Sequence, residues 1–554
     1  MQILPWKNPL VATAFIVRNR RGGLFIAPAI YVVLLAVAGM GVAYWASLPQ
    51  NQGKVRPTLI FFMGLMVVQL GIAAIVGGSR AAAAIRAEVV NKTLDFQRLA
   101  AVSSWDIMFG KLFGETALAY LLLFASFPLA VFCWMLGLPG LSMPVLLLLY
   151  LNLFTTTLLF GAFSLQNTLV IPAGKASGGA VPGFGLMIGL VGMAAFSLAQ
   201  GGGLTFFASP WSGALAGLFT PIPALFALGQ GDPWAARLFL YGLEIPFLLV
   251  TPVSQLLIAF LCLHVMARRL ENLALPTLDK PSAYAFLMTI DLVVAGVLHS
   301  CRADMPLGPR LALFCVLHLL ASMVVLASVT PTRETLLSWI WRFRGRRNRL
   351  LDEWLGDRTL NSLAVLTCTV LLTAGLLLLA GLERDPKSWQ QEVTLNAGGA
   401  VMREAGEILP AALLVAATLL ATLGILYQWL LLLAGKYGAS LFFVAVLIMV
   451  AAPAALGSNE ARLREQAMPE NLWLSLSPAV HLIAWLGAPL AIPSPLPLCA
   501  VYLPLALVLL VDCYRRCARL TALVDARLAA MGVNDLSPPA AQEKSPLDLA
   551  AQRA

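Results

Sequence analysis

The apolar positions of this chain fall in long unbroken blocks, of which residues 24–46 and 363–382 are two. About 20 mostly apolar residues make a helix that crosses bilayer hydrocarbon. Only helices and closed barrels satisfy their own backbone there. Barrel strands would alternate in polarity over segments of about ten residues, so the continuity of these runs predicts helices. Spans are expected near 24–46, 59–77, 113–136, 143–165, 183–199, 245–266, 283–299, 311–329, 363–382, 409–434, 440–457 and 496–512. The predicted fold is therefore an all-α, polytopic transmembrane helical bundle of about twelve spans.

Two further apolar stretches, 210–229 and 478–492, are short or broken by Pro and Gly, and each opens on Ser-Pro (Ser209-Pro210 and Ser477-Pro478). They fit re-entrant or interfacial elements, because irregular backbone at membrane depth must be buried in protein. The order of two spans, a Ser-Pro element, a last span and a basic exit occurs around 143–270 and again around 409–520. The exits are Arg268-Arg269 and Arg515-Arg516. This predicts two six-span halves, 24–270 and 271–520, although similar composition alone can generate the same order. Residues 521–554 turn polar after Ser537-Pro538-Pro539 and read as a short helix with a partly disordered tail.

Composition and charge sharpen this picture. The chain is 60% hydrophobic and 12% charged, against about 45–50% and about 25% in ordinary soluble domains. The net charge of +10 comes from basic residues beside spans, a placement that the positive-inside rule explains better than nucleic-acid binding does. Arg80, Arg86, Lys92, Arg98 and Lys111, then Lys175, then Arg268, Arg269 and Lys280, the dense set from Arg333 to Arg358, Lys436, and Arg515, Arg516 and Arg519 all fall on one parity of loops. That parity predicts a multi-pass cell-membrane protein with both termini cytoplasmic. The run after Arg18, Arg20 and Arg21 is too long for a signal-peptide core and lacks a clear cleavage site, so it is read as the first span. The eight cysteines lie mostly in apolar blocks without a CxxC pair, which argues against a disulfide framework or zinc knuckle.

The most informative polar stretch lies between spans two and three. Ile85, Val89, Phe96 and Leu99 recur near helical spacing, with charges between them. Ser103 is placed to cap a second helix, with Asp106 three residues on as a capping-box-like partner. A helix pair at the foot of a span suits docking of a soluble protein. A membrane-surface helix with solvated charges is the plainer alternative.

This stretch resembles the ABC-2 type (export-permease) family, whose pattern runs I-x-x-E, T-L-x-x-L-L, T-P-L-S and E-I-x-x-G-K. Here stand Ile85 and Glu88, Thr93 and Leu94, Ser103, Asp106-Ile107, and Gly110-Lys111-Leu112. Ala101 replaces the usual Pro, and Asp106 replaces Glu. Asn8-Pro9 followed by Arg18, Arg20 and Arg21 is similar to that family's cytoplasmic amphipathic connector, assigning it to residues 1–23. The resemblance covers about residues 5–270. It implies the membrane-spanning permease subunit of an ATP-driven ABC transporter, with segment 80–112 as the coupling segment. Glu88, Thr93, Leu94, Leu99, Ser103 and Asp106 would then dock a separate ATP-binding cassette subunit, with Gly110 and Lys111 at the segment's end. ATP and Mg would be bound by that partner, and no cofactor by this chain. A homodimer or a second permease chain would complete the membrane domain if the internal repeat does not, and export is the expected direction.

Other chemistry is sparse. No Walker A motif occurs, since Gly174-Lys175-Ala176 lacks the upstream Gly and the following Ser/Thr. No catalytic constellation is evident, so the chain itself is not expected to be an enzyme. The basic cytoplasmic loop 330–362 occupies the coupling position of the second half without its motif, and fits a second connector helix or an anionic-lipid contact. Three Cys/His pairs (Cys262 and His264, His299 and Cys301, Cys315 and His318) admit a metal or haem site but are read as incidental. Gln69, Asn152, Gln255 and Gln428 are expected to hydrogen-bond between helices. Asp291 lies inside span seven. An intramembrane acid is a functional candidate, on a proton path, paired with His299 or a backbone group, or placed near an interface. Asp291 keeps open the alternative of an ion-coupled secondary transporter.

Overall fold

The computed structural model describes residues 11–13, 16, 23–49, 51, 56–91, 103–170, 217–218, 220–271, 278–301, 307–331, 336–337, 354–355, 359–383, 390–394, 400–442, 444–446, 448–449, 476 and 495–530. These residues are overwhelmingly helical, and ten of their helices are long and apolar enough to cross a membrane. Each of the ten overlaps an expected span. The remaining expected spans, 183–199 and most of 440–457, lie outside the described residues, as does the outer stretch 478–492. The chain divides into two compact units, Met1–Leu273 and Ala274–Ala554.

In the first unit α1 (Gly23–Ser47) is followed by α2 (Pro57–Ile72), a π-helical turn (Ala73–Gly77) and α3 (Gly78–Val90). Then come α4 (Ser104–Met135), α5 (Met143–Val170), the short α6 (Ile222–Gly229), a hairpin of β1 (Arg237–Leu240) and β2 (Leu243–Pro246), and α7 (Phe247–Glu271). Pro57 starts α2 where its missing N–H costs nothing. The amphipathic helix expected near residue 84 is continuous with span two, reached through the π turn. The eight-residue α6 is about 12 Å long at 1.5 Å per residue, too short to cross. The β1–β2 hairpin is a short turn between helices and leaves the all-α architecture intact. Tyr241 and Gly242 have φ of 51° and 83°, the left-handed pair that a two-residue primed turn requires.

Small residues let the helices of this unit approach closely. A Cβ on Gly77 would sit 3.1 Å from the Thr157 methyl, one on Gly78 2.8 Å from Ser164 Oγ, and one on Gly161 2.8 Å from Leu112 Cδ1. In lipid, such close packing and interhelical hydrogen bonds replace the hydrophobic drive. Gln69 of α2 donates to Ser126 of α4 and to Tyr150 Oη of α5, the latter at 2.9 Å. Asn152 of α5 donates to the Leu248 carbonyl of α7 at 3.1 Å. Gln255 of α7 accepts from Thr155 at 2.5 Å and donates to Thr156 at 2.9 Å. These three side chains make the interhelical bonds expected of them.

The second unit contains α8 (Lys280–Ser300), α9 (Leu307–Val329), α10 (Ser362–Gly381), a hairpin of β3 (Gln390–Thr394) and β4 (Ala400–Glu404), α11 (Ala405–Ala434) and α12 (Leu496–Ala530). Asp279 caps α8, accepting from the Ser282 N–H. α8, α9 and α10 pack mutually, α11 lies on α9 and α10, and α12 packs on α11. Gly375 of α10 admits the Phe314 ring of α9 so closely that a Cβ there would lie 2.2 Å from Cζ. Gln428 departs from the expected role. It is buried, neither amide atom is hydrogen-bonded to a described residue, and it faces a cavity of about 10 Å³, room for about one water.

Across both units, large apolar side chains such as Leu34, Val67, Leu257, Leu320 and Val508 stay exposed on helices of spanning length. Apolar faces of that extent are matched by lipid, not water.

Candidate functional site

The first candidate is the foot of the first unit. α2 through α3 forms a helical run of 32 residues, Pro57–Glu88, and α4 forms another of 32. At 1.5 Å per residue each is about 48 Å long, against roughly 30 Å of hydrocarbon. The ends that flank the connecting segment therefore have length to extend past the membrane.

Two local devices fix those ends. Ser103 is the N-cap of α4. Its Oγ accepts the Asp106 N–H at 3.1 Å while its hydroxyl donates to Asp106 Oδ2 at 2.5 Å. The expected cap is present, with the Asp106 side chain bonding the Ser103 hydroxyl. Asp106 also places an acidic group in the first turn, where the helix dipole favours it. Lys111, two turns on, donates to Glu88 at the end of α3. Their side chains are 15% and 14% exposed, so this ion pair sits largely out of solvent. Both ends of the segment resembling the permease motif are thus clamped together. Gly110 is buried in α4 beside the pair. Thr93, Leu94 and Leu99 lie outside the described residues.

The clamp rests on a single apolar core. Ile85 of α3, Ile107, Met108 and Leu112 of α4, Leu165 of α5 and Met266 and Leu270 of α7 belong to one buried cluster. An aromatic ladder that the sequence reading missed continues along α4. Trp105 stacks on Phe109 at 5.9 Å, Phe109 on Phe113 at 6.1 Å, and Phe113 on Tyr120 at 6.3 Å. The i, i+4 spacing of the first three rings is readable in the sequence. Trp105 also meets Phe260 of α7 at 5.9 Å.

The second candidate is Asp291, buried in α8. Its partner is neither His299 nor a backbone group. Oδ1 lies 2.9 Å from Nδ1 of His318 on α9. His318 thus turns to a carboxylate on another helix instead of forming a site with Cys315. Among the described residues no three metal-ligating side chains converge. Two basic residues are buried: Lys280, which the sequence pattern assigns to the loop charges, and Arg310, which the sequence pattern does not single out. Lys280 is fully buried, donating to Thr359 Oγ1 at 2.8 Å and the Leu360 carbonyl at 2.9 Å. Arg310 is fully buried and pairs with Glu383 at 2.5 Å.

No family model, curated protein or solved structure matches the chain.

Proposed function

We propose that this chain is the membrane-spanning permease subunit of an ATP-driven exporter of the ABC-2 type, energised by a separate ATP-binding cassette subunit that carries ATP and Mg. The observation that supports it best is the clamp at the foot of the first unit. Segment 91–102 connects α3 to α4, whose facing ends are joined by Glu88 and Lys111, with Ser103 capping α4. A partner that moves this segment as a rigid body moves two long helices and the core beneath them. Packed elements respond to such a push by switching between discrete arrangements. Both termini and the docking segment lie on the cytoplasmic side in this reading, as the loop charges require. Membrane lipids surround the exposed apolar faces, and a homodimer or second permease chain completes the pathway if one chain does not.

Purification of the tagged chain from native membranes in mild detergent tests the proposal. A stoichiometric polypeptide with a Walker A motif, lost from the Leu94→Asp variant, supports it. Recovery of the folded chain without any such ATPase, across several detergents, refutes the docking assignment and moves the energy source to ion coupling.

A further inference from the structure

The second unit holds a buried polar cluster outside the segment proposed to dock the ATPase. Asp291 of α8, His318 and Ser322 of α9 and the Cys368 carbonyl of α10 meet inside three helices of spanning length. Asp291 Oδ1 is 2.9 Å from His318 Nδ1. On the far side of the ring, His318 Nε2 is 2.9 Å from Ser322 Oγ and 3.1 Å from the Cys368 carbonyl oxygen. His318 and Ser322 are sealed from solvent, and Asp291 is 5% exposed. Asp291 Oδ2 is buried with no hydrogen-bond partner among the described residues.

Hydrogen-bond bookkeeping shows what this cluster can hold. A carbonyl oxygen only accepts, so the Cys368 carbonyl is matched when Nε2 carries hydrogen. An ionised carboxylate also only accepts, so Asp291 is matched when hydrogen lies between Nδ1 and Oδ1. Both conditions hold together only when the cluster contains one proton more than a neutral imidazole beside an ionised carboxylate. Withdraw that proton from Nε2 and the ring keeps Nδ1–H toward Asp291, while its Nε2 lone pair accepts the Ser322 hydroxyl. Ser322 can serve both forms, because a hydroxyl donates and accepts and its hydrogen rotates. The loaded form is electrically neutral as a whole, and the unloaded form carries one negative charge on Asp291.

We infer that Asp291, His318 and Ser322 form an intramembrane proton-binding site whose ligand is a single exchangeable proton. The site stands apart from the question of what docks at segment 80–112. Its order of groups matches a serine–histidine–carboxylate relay. The group facing Nε2 from α10 is a carbonyl, which cannot stabilise an oxyanion, and Ser322 is sealed, so the cluster is built to hold a proton and not to attack a substrate. The neighbouring ionisable groups leave the pair as the local centre. From α10 the Cys368 thiol faces Asp291 and Ser322. On α9 Cys315 lies one turn from His318, and Arg310, eight residues away, is tied to Glu383. On α8 Tyr284 donates to the Trp354 carbonyl, and Lys280, eleven residues from Asp291, is tied to Thr359 and Leu360. α11, which packs on α9 and α10, brings Tyr427, which turns to Phe442. Eleven helical residues correspond to about 16 Å and eight to about 12 Å.

The test is nitrogen NMR of the full chain, labelled with ¹⁵N-histidine and held in lipid nanodiscs, across the pH range over which the chain stays folded. The chain has four histidines, His264, His299, His318 and His481. One resonance pair, absent from His318→Gln, should pass in a single step from both nitrogens protonated to one, with Nδ1 keeping its hydrogen. Asp291→Asn should abolish the doubly protonated form. If His318→Gln does not fold, Ser322→Ala identifies the same resonance through its Nε2 shift. A His318 signal that keeps one form over the whole range, or a step unchanged in Asp291→Asn, overturns the inference.

Discussion

Replacing Lys111 with Met keeps the length of the side chain and removes its charge, leaving the Glu88 carboxylate without the lysine that now clamps it. The two side chains are about 15% exposed, between the regimes for which magnitudes are known. Exposed pairs are worth about 0–1 kcal/mol, and removing one partner of a fully buried pair costs about 3–5 kcal/mol. The expected loss is therefore about 1–3 kcal/mol, and Glu88→Gln should lose a similar amount. The exchange Glu88→Lys with Lys111→Glu restores the attraction with reversed sense and should recover most of it. The assay is thermal unfolding in nanodiscs, followed by tryptophan fluorescence, with Trp105 stacked against this foot. A coupling of at least 1 kcal/mol between the positions is expected. Losses that simply add, within the roughly 0.3–0.5 kcal/mol typical of independent sites, would refute the clamp and the rigid-body transmission built on it.

Other consequences follow from the same contacts. Ser103→Ala removes the acceptor for the Asp106 N–H and should cost about 0.5–2 kcal/mol, seen as faster hydrogen exchange in the first turn of α4. Glu383→Gln removes the carboxylate that pairs with the buried Arg310 and should destabilise the protein by about 3–5 kcal/mol. The Arg310→Met, Glu383→Gln double variant should be less destabilised in the same unfolding assay. Gly375→Ala drives a methyl into Phe314 and should cost about 1–3 kcal/mol by overpacking, relieved when Phe314→Leu is added.

The long apolar blocks were legible because a lipid-embedded helix must be apolar on nearly every face, so the signal needs no knowledge of partners. The Ser103 cap was legible for the same local reason: an Ser-x-x-Asp spacing closes on itself. What escaped notice depends on distant residues or on short signals at span edges. Asp291 finds His318, 27 residues on, because α8 and α9 pack side by side, and nothing near Asp291 in sequence distinguishes His318 from His299. Lys280 reads as a loop charge and Arg310 carries no signal of its own until Thr359, Leu360 and Glu383 close over them. The Tyr241-Gly242 hairpin carries a turn signal that four-residue strands beside a long apolar helix easily mask. The π turn at Ala73–Gly77 leaves no mark on composition, though it joins α2 to α3.

The central claim is that segment 80–112 holds an ATP-binding partner, and a photo-crosslinking residue at position 94 in native membranes tests it most directly. Irradiation should join the chain to a polypeptide with a Walker A motif, and excess purified partner in which the crosslinker is absent should compete the adduct away. Adducts to lipid alone, from a chain that is folded and inserted, would contradict it.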